Sequence, residues 1–108
     1  MLRGAILERY VAAGGPQALG YPSTDDVAAP GGGAKAALQG GAVYWSPATG
    51  AHVVEGEAAE HYVLLGETTS WLGYPISDTV ETPTGTHTEF EHGDIDVTDQ
   101  DVASAHRR

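Results

Sequence analysis

Cysteine is absent from the 108 residues, and with it go disulfides, thiolate nucleophiles and cysteine-ligated zinc. Basic residues are scarce: five Lys and Arg stand against fifteen Asp and Glu, a net charge of −10 with a pI near 4.6. A surface of that sign repels phosphate backbones and anionic lipid, which argues against nucleic acid and membrane surfaces as partners. No apolar run approaches the roughly 20 residues of a membrane-spanning helix. Aromatic residues make up only 7% of the chain, so few rings are available for any one role. What is present is a 41% hydrophobic content with only 19% charge, too apolar for an acidic disordered tail. Fifteen glycines and six prolines imply many turns. Length and composition together predict one small, turn-rich, acidic domain spanning residues 1–108.

At the N-terminus Leu2, Ala5, Ile6 and Leu7 are apolar, but Glu8 and Arg9 interrupt them before a signal-peptide core of about 7–15 residues can form. Two readings follow: a cytoplasmic protein, or a module or mature fragment of a longer exported one.

The chain repeats itself. Leu19-Gly20-Tyr21-Pro22 recurs as Leu72-Gly73-Tyr74-Pro75. Gly4, Tyr10, Val11 and Gly14 align with Gly56, Tyr62, Val63 and Gly66, while Leu38, Gly41 and Val43 align with Phe90, Gly93 and Ile95. Asp25, Val27 and Pro30 align with Asp78, Val80 and Pro83. These matches define two copies of a unit of about fifty residues, 4–55 and 56–105, followed by a tail at 106–108.

Each copy reads alike. Apolar i, i+4 pairs predict a short helix over Gly4–Ala13 and again over Gly56–Leu65, stopped by Gly14 and Gly66. The LGYP tetrapeptide makes a rigid corner, and Ser23–Gly33 and Ile76–Gly85 read as loops. A hairpin closes the unit. In copy one its strands are Ala36–Trp45 and Ala51–Val54, around a Ser46-Pro47-Ala48-Thr49-Gly50 turn. In copy two the first strand is Thr86–Val97 and the turn lies at Asp99-Gln100-Asp101, with Gly41 and Gly93 as bulges inside the strands. The predicted fold class is α+β, a tandem repeat of blade-like units. Net charge is unevenly shared: residues 1–50 balance to zero, and residues 51–108 carry all of the excess.

The helix, the LGYP corner and the Gly-Ala-Val-Tyr-Trp strand with its Ser-Pro-Ala-Thr-Gly turn together resemble the LGFP repeat family, with Tyr21 and Tyr74 at the aromatic position. The resemblance covers nearly the whole chain. It implies a non-catalytic module of exported actinobacterial proteins, often appended to mycolyltransferases, esterases or peptidoglycan hydrolases. It further implies retention at the cell wall through arabinogalactan or peptidoglycan, and in longer arrays a propeller-like ring. Copy two departs from the pattern, because Tyr44-Trp45 becomes Asp96-Val97 and the Ser-Pro-x-Thr-Gly turn is lost. Two units are also fewer than the three or so that repeat arrays usually need, so further repeats or self-association are expected to complete the core, the alternative being two units that clasp each other in one compact pseudo-symmetric domain.

Catalytic signals are sparse. No serine sits in a Gly-x-Ser-x-Gly setting, and Pro30–Lys35 lacks the Gly-Lys-Ser/Thr of a phosphate loop, so no enzyme is expected. No two of the five histidines have i, i+4 spacing on a predicted helix, and the acidic run from Glu89 to Asp101 lacks a calcium-loop pattern. No metal and no cofactor are therefore expected. Alternation pairs Glu89 with Glu91, and Asp94 with Asp96, on solvated faces. For a wall polysaccharide the candidate stacking rings are Tyr44, Trp45 and Trp71, with Tyr21 and Tyr74 expected in the core. The alternative function is a protein–protein interaction module whose acidic surface steers a basic partner.

Overall fold

The computed structural model describes residues 4–22, 27–29, 32–100 and 102–107. Helix α1 (Gly4–Ala12) and the short α2 (Gly15–Leu19) precede four strands: β1 (Val27–Ala29), β2 (Gly33–Leu38), β3 (Gly41–Ser46) and β4 (Gly50–Glu55). Helix α3 (Glu57–Leu65) and one 3-10 turn (Glu67–Thr69) lead to β5 (Val80–Thr82), β6 (Gly85–Phe90), β7 (Gly93–Thr98) and β8 (Ala103–Arg107). The strands form two four-stranded antiparallel sheets, β1-β2-β3-β4 and β5-β6-β7-β8, which gives an α+β fold. Among the described residues no helix is long and apolar enough to cross a membrane.

The corners explain why LGYP is needed at each position. Gly20 and Gly73 both sit at φ 77°, a left-handed backbone that a side chain resists. A Cβ on Gly20 would come within 2.6 Å of Gln39, and one on Gly73 within 2.7 Å of Glu91. Those neighbours hold the corners: Gln39 Oε1 accepts from the Tyr21 amide and Glu91 Oε1 from the Tyr74 amide, each at 2.9 Å. The helix tyrosines complete the match, with Tyr10 Oη donating to the Gly20 carbonyl (2.7 Å) and Tyr62 Oη to the Gly73 carbonyl (2.5 Å). Pro22 then bridges Leu38, and Pro75 bridges Phe90.

The structure departs from the expected hairpins. Ala36–Trp45 and Thr86–Val97 are each two strands: β2 turns into β3 at Gln39-Gly40, and β6 into β7 at Glu91-His92. Gly41 and Gly93 are not bulges but the first residues of β3 and β7. A Cβ on either would sit 2.2 Å from a carbonyl of the facing strand, Val54 or His106, so a side chain there would push the ladder apart. Strands β1 and β5 occupy stretches read as loop, and Gly33–Lys35 belongs to β2 rather than to a loop. The expectations for Ser23, Asp25, Asp26, Pro30, Gly31 and Asp101 lie outside the described residues.

Packing is asymmetric. One face of the first sheet (Ala36, Leu38, Val43, Val53) packs with Ile6, Tyr10 and Leu19. Its other face supplies Tyr44 and Val54 to a larger cluster with Ala58, Ala59 and Tyr62 of α3 and Phe90, Ile95 and Val97 of the second sheet. Helix α3 therefore lies between the sheets, and the two halves share the larger of the two clusters. Asp78 and Thr79 tie them further: the Thr79 amide donates to the Val53 carbonyl (2.8 Å), and Asp78 Oδ1 accepts from the Val53 amide (2.9 Å). That pairing covers the outer edge of β4, a strand edge otherwise open to foreign pairing.

Candidate functional site

The three candidate rings have different surroundings. Tyr44 is wholly buried, its ring edge-on to Tyr62 at 5.1 Å, and its hydroxyl donates to Glu67 Oε2 at 2.6 Å. Burial first, then the Glu67 hydrogen bond and charge, push that hydroxyl far above the ordinary tyrosine range. Tyr44 thus cannot stack on a sugar. Tyr44 and Trp45 lie on opposite faces of β3, and both faces of the first sheet are covered. Trp45 is accordingly half-buried against the α1 cluster. Trp71 is half-buried at the rim of the shared core, with the Arg107 guanidinium 4.6 Å from its ring centre. Trp71, Glu91, His92 and Arg107 line an open cleft of about 380 Å³.

The two LGYP tyrosines also part company. Tyr74 is 8% exposed, its hydroxyl set against Gly33 and the end of the first sheet, as a core role requires. Tyr21 is 67% exposed, contrary to that expectation. The cause is positional: Tyr74 has another sheet before it to pack upon, and among the described residues nothing occupies that place for Tyr21.

A cluster not foreseen in the sequence covers the outer face of the second sheet. His87 Nδ1 meets Asp96 Oδ1 at 2.5 Å and His87 Nε2 meets Glu89 Oε1 at 2.9 Å. His106 Nδ1 lies 3.0 Å from Asp94 Oδ1 and 3.5 Å from Asp96 Oδ2. The hydrogen bonds from Asp96 and then Glu89 hold the His87 imidazolium above the usual histidine range. Glu91 does not share that face with Glu89; it lies in the β6–β7 turn and braces the second corner. The signal that finds this cluster is strand pairing, since His87 faces Asp96 and Asp94 faces His106 across neighbouring strands.

Fold and corners define the class: a small α+β protein of two antiparallel meanders, each joined to a helix by a glycine-aromatic-proline corner that a tyrosine hydroxyl clasps. The LGFP repeat family model matches residues 19–69, from the first corner through the first sheet and α3. No curated protein matches the chain.

Proposed function

We propose that this chain is a non-catalytic, cell-wall-associated module of two copies of one unit, retained outside the cell by binding arabinogalactan or peptidoglycan glycan. The LGFP-repeat match over residues 19–69 supports the wall association. The Trp71 cleft carries the glycan reading: a large ring beside a carboxylate, an imidazole and a guanidinium offers both an apolar platform and partners for sugar hydroxyls. The matched corner bonds support the two-copy reading.

The test is co-sedimentation of the purified chain with insoluble mycolyl-arabinogalactan-peptidoglycan, before and after mild acid removes the arabinogalactan. Trp71→Ala is expected to abolish sedimentation while the circular dichroism spectrum is retained. Undiminished binding by that variant would remove the cleft from the account.

A second reading, assembly with further units of the same kind, has its own observation. Leu7 and Tyr21 are exposed at positions whose copy-two counterparts, Ala59 and Tyr74, are buried. Sedimentation velocity tests it: growth of the particle with concentration, abolished by Tyr21→Ser, supports assembly, and a monomer throughout excludes self-association.

A further inference from the structure

Neither the core nor the Trp71 cleft uses the outer face of the second sheet, formed by His87, Glu89, Asp94, Asp96, Ser104 and His106. The matching positions of the first sheet are Lys35, Ala37, Ala42, Tyr44, His52 and Val54, two of them wholly buried. The same backbone therefore carries an apolar face without difficulty, and nothing in the fold demands carboxylates here. A merely wettable face would be served by serine, threonine or lysine. Instead Glu89 lies directly opposite Asp94, a like-charged cross-strand pair that costs stability unless a cation sits between the two. The ion pairs of Asp94 and Asp96 among the described residues are all with imidazoles, not with lysine or arginine.

The donor atoms converge. One ligand atom from each of His87, Glu89 and Asp94 lies within 4.8 Å of the others, and the same holds for Asp94, Asp96 and His106. We propose that this face binds a divalent transition-metal ion of the zinc class, with Asp94 common to two sets of one imidazole and two carboxylates. The donor chemistry sets the class. Calcium and magnesium prefer oxygen alone, whereas imidazole with carboxylate suits zinc and its neighbours, and the absence of cysteine disfavours the softest ions. Strands β6, β7 and β8 hold the donors opposite one another by register, and an entering ion takes the place of the His–carboxylate hydrogen bonds that now join them.

The experiment is isothermal titration of the full chain with zinc chloride, alongside calcium chloride and magnesium chloride. Saturable zinc binding with no comparable calcium or magnesium heat is expected, weakened by about tenfold or more in Asp94→Asn and in His87→Gln. His61→Gln, on α3 away from the face, is expected to bind as the parent does. Should Asp94→Asn unfold, the exposed His106→Gln variant reads the same question. No saturable zinc binding would overturn the proposal. So would binding that survives replacement of both His87 and His106, or equal affinity for calcium.

Discussion

Glu67 is the only non-glycine residue at positive φ among those described (54°), and its copy-one counterpart is Gly15 at φ 59°. A glutamate tolerates that backbone because its carboxylate ties α3 to the first sheet, accepting from Lys35 Nζ at 2.8 Å and from the Tyr44 hydroxyl at 2.6 Å. Tyr44→Phe leaves one carboxylate oxygen without its buried donor and should cost about 1.5 kcal/mol, measured as a lower urea midpoint at unchanged m-value. Burial alone would raise the Glu67 carboxyl; the hydrogen bonds from Lys35 and Tyr44, with the Lys35 charge, outweigh it and leave the group below the usual range. A depressed carboxyl stabilises the fold above its unfolded pKa and loses that contribution as pH falls through its folded one. The stability gap between the parent and Glu67→Gln should therefore be constant near neutrality and close on acidification below the ordinary value of 4.5. A gap that persists unchanged at the acid end would deny the latch its electrostatic part.

Hairpins built on glycines carry the elements. In the β3–β4 ladder Gly41 faces Glu55, and the absent Cβ is what lets the Val54 carbonyl approach. Gly41→Ala places a methyl against backbone, which cannot swing aside as a side-chain tip can. A loss of more than about 2 kcal/mol is expected, with amide exchange accelerated in β3 and β4 before α1. Stability within a few tenths of the parent would show that the ladder can slide. Glycine is also where sequence reading faltered. Gly41 and Gly93 lie within apolar or alternating runs, and periodicity alone could not tell a bulge from the start of a new strand. Strands β1 and β5 escaped notice because three residues with exposed Val27 and Val80 present no alternation. Helices α1 and α3, both corners and the β3–β4 turn were legible because capping glycines, i, i+4 pairs and a proline corner act locally, whereas the five-residue α2 has no such pair and was not. The His87–His106 cluster was not, since its members are neighbours across strands, and helical spacing was the wrong ruler for them.

Over the whole molecule, the two copies differ in what their sheets face. The first sheet is covered on both sides; the second turns its outer side to solvent with histidines and carboxylates where the first has Tyr44 and Val54. The shared cluster has a thermodynamic consequence. Neither half keeps all of its packing alone: removing residues 56–108 leaves the α1 cluster but strips Tyr44 and Val54 of α3 and the second sheet, and removing residues 1–55 strips Tyr62 of the Tyr44 ring. The Asp78–Thr79 pairing with β4 would be lost as well. Unfolding should then be one cooperative transition in which the calorimetric and van't Hoff enthalpies agree, although the chain is built of two similar parts. The fragment 1–55 is expected to show neither native circular dichroism nor dispersed amide resonances. Two separable transitions, or a folded fragment, would mean that the halves are independent domains that touch rather than one core.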